Sequence, residues 1–186
     1  TGISAHAAGS PHKGRSALDG VEAMNMMVNM MREHIPQESR IHYVITKGGL
    51  APNVIPDLAE VYYYVRHPRR EKVQEIFEWV VEAAEGAAIG TQTDVTYEVI
   101  HGNYSKLPNQ TLQKVMHKNL LSRGGIKYSQ AEHEYAKKIH QTLISPGSKI
   151  GDQENIRPYS TSHTYGSTDV GDVSWVVPQA GLRTAT

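Results

Sequence analysis

The stretch Arg40-Ile41-His42-Tyr43-Val44-Ile45-Thr46-Lys47 runs through Gly48-Gly49-Leu50-Ala51-Pro52-Asn53-Val54-Ile55-Pro56-Asp57 into Leu58-Ala59-Glu60-Val61-Tyr62-Tyr63-Tyr64-Val65. In its first part Ile41, Tyr43 and Ile45 alternate with His42, Val44 and Thr46, the period of a strand with two unlike faces. Its last part is dense in aromatic and β-branched residues, which suit a pleated, half-buried surface. The reading is two strands, 40–47 and 58–65, joined by a loop that glycine and proline punctuate.

Upstream, Leu18, Val21, Met24, Val28, Met31 and Ile35 recur at spacings of three and four, predicting a helix over 16–35 that Pro36 ends. Met26, Met27 and Met30 widen its apolar surface beyond one stripe, so it should touch a second layer or a partner. After Pro68, Val73, Ile76, Phe77, Val80 and Ala84 mark a second helical face that fades at Gly86 to Gly90. Thr93 to Ile100 then alternates as a further strand, and Gly2 to His6 reads as the tail of an opening one. Residues 1–101 therefore read β-α-β-β-α-β, a ferredoxin-like α+β domain.

His101-Gly102-Asn103 breaks the pattern, and helices are predicted from Pro108 to about Ser122 and from about Ser129, the latter with Tyr135, Ile139 and Leu143 on one face. Ser145 to Ser167 is a long Gly-, Ser-, Pro- and Asn-rich loop of a kind that small self-sufficient domains rarely carry. Residues 102–186 are accordingly expected to be an incomplete α/β segment. Thr1 in place of methionine, and the strand-like alternation of Gly181 to Thr186 without a closing turn, give the expectation of an excised fragment.

Lys and Arg together number 19, as do Asp and Glu. With no net charge there is no broad field to gather nucleic acid or an anionic membrane surface. The basic-aromatic signature of RNA recognition motifs, which share the same strand order, is absent. Without cysteine the chain has no disulfides, thiolate nucleophile or thiolate metal site, and a reducing cytoplasm is the expected setting. No apolar run approaches the roughly 18 residues of a membrane span.

Three residue types stand where chemistry could use them. His6 follows a strand and precedes the loop Gly9-Ser10-Pro11-His12-Lys13-Gly14, and its imidazole could donate to a developing oxyanion. Asn53 lies between Pro52 and Pro56, which restrict the backbone and aim a carboxamide able both to donate and to accept. Arg66 ends an apolar strand with a planar fork suited to a carboxylate. Taken singly, each has a plain alternative: a structural histidine, an Asx turn, a surface ion pair.

Ile3-Ser4-Ala5-His6-Ala7-Ala8, Ser10-Pro11-His12-Lys13-Gly14-Arg15-Ser16-Ala17, Pro52-Asn53-Val54-Ile55-Pro56-Asp57 and Val65-Arg66-His67-Pro68 together resemble the lid, or dimerisation, domain of the M20 family of metallopeptidases and amidohydrolases. Leu107-Pro108-Asn109 and Gly166-Ser167-Thr168-Asp169-Val170-Gly171-Asp172-Val173-Ser174-Trp175 extend the resemblance over nearly the whole chain, toward the aminobenzoyl-glutamate hydrolase subgroup. The resemblance implies a lid over 1–101, inserted into a catalytic domain of which 102–186 is part. It implies a divalent metal pair, zinc or manganese, that activates water in the full-length parent, with a glutamate taking the water's proton.

It further implies that His6 reaches a neighbouring protomer's active site to stabilise the oxyanion, while Asn53 and Arg66 bind substrate carboxylate or nearby polar groups. The expected partners are a small amide substrate, an N-acyl amino acid or aminobenzoyl-glutamate-like compound, and a second protomer, identical or related, joined through the lid. No metal ligand is expected within the chain, because His117, His133, His140 and His163 stand in none of the family's ligand motifs. A site of His163, Asp169 and Asp172 has no compact ligand spacing, and a Ser167 nucleophile has no Gly-x-Ser-x-Gly elbow. The isolated chain is expected to be inactive. A non-catalytic ferredoxin-like module for dimerisation or small-ligand binding is the competing reading.

Overall fold

Strand β1 (Arg40–Lys47) pairs antiparallel with β2 (Glu60–Arg66), setting Ile41 opposite Val65, Tyr43 opposite Tyr63 and Ile45 opposite Val61, with an irregularity between Ile45 and Lys47. The computed structural model in which this hairpin is seen describes residues 1–183. Those residues form two compact units, Thr1–Ser105 and Lys106 onward.

In the first unit, α1 (Ala17–Met31) begins at Ser16, whose side chain accepts from the Asp19 N–H at 3.1 Å. It stops before the predicted Ile35. There the chain tightens, with the N–H groups of Glu33 and His34 bonding three residues back, while the Arg32 guanidinium donates to the Ile41 carbonyl at 2.6 Å. Helix α2 (Arg70–Thr91) runs on through Gly86 and Gly90, where the fading apolar pattern suggests an end. Its small residues are the reason. Ala83, Ala84, Ala87 and Ala88 are buried, and a Cβ on Gly86 would stand 3.3 Å from the Met27 methyl, so close packing against α1 sustains a stretch whose propensity is poor.

Val28, Met31, Ile41, Ile76, Val80 and Ala83 form the core, with Met24, Ile35, Tyr63 and Val65 packed against it. Both helices thus lie on one face of the hairpin. Within this core the Tyr63 hydroxyl donates to Oδ1 of buried Asn25. Burial, reinforced by Tyr43, pushes the Tyr63 phenol well above the ordinary phenol range, so it remains a neutral donor.

The α+β reading stands, but the sheet of the described residues has two strands and the ferredoxin-like order is not reproduced. Residues 1–7 make only isolated bridges, and 93–100 form no ladder. Thr1 and Asp94 exchange two backbone hydrogen bonds, at 2.6 and 2.9 Å, but no neighbouring strand takes the groups beyond them. A strand without a ladder partner is not held as one. Tyr97 instead meets Phe77 edge-on at 6.1 Å, and Val95 and Val99 remain exposed.

The second unit contains α3 (Gln110–Arg123), α4 (Gln130–Gln141) and the short α5 (Val170–Ser174). Asn109 caps α3 by accepting from the Leu112 N–H at 3.0 Å. Ser129 and Glu132 form a reciprocal capping box on α4, and the Ser129 backbone N–H, aided by its hydroxyl, holds the Glu132 carboxyl below its usual range. Neither α3 nor α4 buries a residue. The long loop after α4 carries one 3-10 turn, Asp152–Glu154. Gly181 to Arg183 are not a strand, and the rest of that predicted strand lies outside the described residues. No helix of the described residues is long and apolar enough to cross a membrane.

Replacing Tyr63 by Phe strands the buried Asn25 oxygen, and is expected to cost about 1–3 kcal/mol in chemical denaturation of the first unit. A loss under about half a kcal/mol would show that this hydrogen bond does not hold the core.

Candidate functional site

The local chain pairing that builds the site joins residues 2–7 to 53–57. The N–H of Ala7 donates to the Asn53 carbonyl at 3.0 Å, that of Ile55 to Ala5 at 2.9 Å and that of Gly2 to Asp57 at 2.8 Å, which places His6 opposite Val54. His6 and Asn53 are therefore neighbours across two antiparallel segments. A close-packed glycine secures them. A Cβ on Gly14 would come within 2.5 Å of the Ile55 side chain and 3.1 Å of Ala5 Cβ, so this buried position lets the loop of residues 9–14 lie against both segments.

His6 is exposed, and its Nδ1 accepts from the backbone N–H groups of Gly9 at 2.9 Å and Ala8 at 3.2 Å. With the Nδ1 lone pair so occupied, the ring proton is assigned to Nε2, which the same contacts turn outward as a donor. The carboxamide of Asn53, also exposed, makes no hydrogen bond among the described residues, so the Asx-turn alternative does not apply. A fixed imidazole N–H and an uncommitted carboxamide thus stand on successive rungs of the two segments, His6 opposite Val54 and Asn53 opposite Ala7, each suited to oxygen-rich groups such as an oxyanion or a carboxylate.

Arg66 does not join them within one chain. It stands opposite Arg40 at the far end of the hairpin, whereas the 48–59 loop that carries Asn53 leaves the end where Lys47 pairs with Glu60. The six residue steps from Glu60 to Arg66 amount to roughly 20 Å at about 3.3 Å per residue. Within one chain the sheet therefore sets His6 and Asn53 at one end and Arg66 at the other. Arg66 is half-buried, its guanidinium lies 5.3 Å from the Tyr64 ring centroid, and it makes no ion pair among the described residues. The surface-pair alternative therefore fails for it.

Among the described residues no three His, Asp or Glu side chains come together so as to hold a metal ion. The described residues therefore do not fit the divalent pair that the family resemblance implies. Sequence reasoning did not single out Tyr64, Tyr62 or His42, although strict alternation along β1 and β2 already set them on the face that carries Arg66.

Comparison with known proteins matches residues 1–92 to the peptidase dimerisation domain, M20_dimer. The chain is 39% identical over 205 residues to a p-aminobenzoyl-glutamate hydrolase subunit of Escherichia coli K12, covering 96% of this chain and 43% of that protein. It is 29% identical over 178 residues to the Xaa-Arg dipeptidase of Mus musculus, covering 95% and 35% of the two chains. The chain thus spans less than half the length of these curated relatives. The crystal structure of an aminobenzoyl-glutamate utilization protein from Klebsiella pneumoniae shares the fold, with a TM-score of 0.51 over 63% of this chain and 30% of that one at 21% identity. Pairing motifs, fold and comparisons agree that this chain belongs, through residues 1–92, to the family of M20 peptidase dimerisation domains.

Proposed function

We propose that the chain is the lid, residues 1–101, and part of the catalytic region, 102–186, of a metal-dependent cytoplasmic amidohydrolase that cleaves an N-acyl amino acid or aminobenzoyl-glutamate-like amide. The observation that carries this reading is the outward Nε2–H of exposed His6, whose Nδ1 is held by the Ala8 and Gly9 N–H groups. In the reaction, His6 donates to the oxyanion that forms when water attacks the amide carbonyl, and Asn53 binds polar oxygen next to it. Arg66 holds the substrate carboxylate. The metal chemistry belongs to donors that the described residues do not supply, so this chain's share of the work is orientation and charge stabilisation, and alone it is expected to be inactive.

A length of hairpin separates His6 and Asn53 from Arg66, farther than a small amide extends. The reading therefore requires that the residues of one site come from two copies, with Arg66 of one meeting His6 and Asn53 of the other. A pairing surface supports this. Met26 and Met30 are each 62% exposed, and with Asn29, Tyr43 and Ile45 they line a groove beside β1, whose other edge carries no strand among the described residues. Association by this face, extending the sheet across a two-fold axis, buries apolar surface and satisfies edge hydrogen bonds together.

In the full-length protein, His6→Ala is expected to lower kcat by roughly 10²–10³. Co-expressing it with Arg66→Ala separates the arrangements. Random pairing restores about a quarter of the native activity if sites are shared between copies, and none if each site is built from one copy. Unchanged activity in His6→Ala would instead favour the non-catalytic module.

Met26→Glu with Met30→Glu alters two side chains that contribute little to the folded monomer, yet should weaken self-association more than about tenfold. Sedimentation equilibrium measures this, and an unchanged monomer–dimer balance would remove α1 from the interface.

A further inference from the structure

The methionines of this chain are gathered in one place. Five of the six lie within residues 24–31, and α1 distributes them over different surfaces. Met24 packs against the core, and Met26 and Met30 line the groove beside β1. Met27, Met30 and Met31 line a second groove, whose walls also include His34 and, from α2, Trp79 and Glu82. Positions 27, 30, 31 and 34 have the spacing of one helical face. The chain tightens after α1, with the His34 N–H donating to the Met31 carbonyl at 3.0 Å, which sets the imidazole one turn beyond the thioethers. Across the groove, Gly86 of α2 leaves room for the Met27 methyl, which a Cβ there would approach to 3.3 Å.

The polar groups of this groove are uncommitted. The exposed His34 ring makes no hydrogen bond among the described residues, and the exposed Glu82 carboxylate makes no ion pair among them. Met27 and Met30 can both be reached from solvent, whereas Met31 is buried and closes the groove from below. A surface that served only to bury apolar area would need neither an imidazole nor a carboxylate in its walls.

The chemistry of the donors selects the ion. Thioether sulfur is soft and uncharged, so it is a poor ligand for magnesium or calcium, which take oxygen, and for zinc, which takes thiolate, imidazole or carboxylate. Two thioethers with an imidazole and no thiolate suit monovalent copper. An ion of that kind does not require a cluster of three His, Asp or Glu side chains. Its single positive charge is met by Glu82 and by the electron-rich ring of Trp79 in the same groove.

We propose that Met27, Met30 and His34 form a binding site for a soft monovalent cation, copper(I), between the thioethers of α1 and the indole of Trp79. The site is independent of the amide chemistry and of how copies pair.

The test is a titration of the 186-residue chain, isotope-labelled at its methionine methyls, with silver(I) nitrate in chloride-free buffer. Silver(I) is a soft monovalent stand-in for copper(I) that does not change oxidation state under these conditions, and the chain has no cysteine to compete for it. One ion per chain should bind and shift the methyl signals of Met27 and Met30, leaving that of Met116 in the second unit in place. Zinc sulfate should shift none of them. Met27→Leu, which keeps the apolar bulk, and His34→Ala, at an exposed position, should each weaken silver binding at least about tenfold with thermal unfolding unchanged. Neither residue lines the groove beside β1, so self-association should not move with them. No silver binding, zinc binding as tight as silver, a shift of Met116 as large as that of Met27, or silver affinity that survives both substitutions overturns the proposal.

Discussion

The antiparallel register of β1 on β2 is the constraint from which the first unit follows. By setting Ile41 opposite Val65 and Tyr43 opposite Tyr63 it commits one face to α1 and α2, and by the same alternation commits the other to histidine, tyrosine and arginine. A slip of one residue would exchange the two faces. It would send Arg66 toward the helices and Val65 to solvent, costing the core an aliphatic side chain and burying a charge. The buried bond of Tyr63 to Asn25 guards against this, because only one register brings that hydroxyl to α1.

The same hairpin explains how polar groups can be accurate at its two ends without touching one another. At the closed end, the loop of residues 48–59 folds back on residues 2–7, and backbone hydrogen bonds rather than side-chain packing fix His6. At the open end, Arg66 is placed by the strand itself and steadied by an aromatic ring. The first is a device of loops, the second of a regular element. Neither tolerates much displacement of the sheet.

Much of this was legible in the sequence, and the failures have physical causes. Period-two alternation marked both strands within a residue or two, and threefold and fourfold spacing marked α1 and α2, because in each the buried face repeats. Gly86 and Gly90 misled the reading of α2: intrinsic propensity argues for an end there, but close approach to Met27 overrides it. Thr93 to Ile100 alternates like a strand, yet alternation cannot say whether a ladder partner exists. His6, Asn53 and Arg66 were recognisable by type and motif, but not the hairpin length between them, since residue spacing along a chain does not show which end of a sheet a loop leaves. The fixed tautomer of His6 depends on the Ala8 and Gly9 N–H groups, and only three-dimensional geometry reveals those donors.

The exchange of hydrogen bonds between Thr1 and Asp94, and the dependence of His6 on residues 53–57, also set an order in time. A ribosome adding roughly 5–20 residues each second exposes the His6 segment several seconds before its partner loop, and longer still before Asp94. The imidazole is among the first groups of this unit to be made, and the backbone partners of its segment in residues 53–57 come much later. Closing such distant contacts is slow because loop entropy is lost before the contact repays it. For that interval the Ile3 to Ala8 segment has only its near contacts, the paired hydrogen bonds of Ile3 with Arg15 and those of the His6 ring with Ala8 and Gly9.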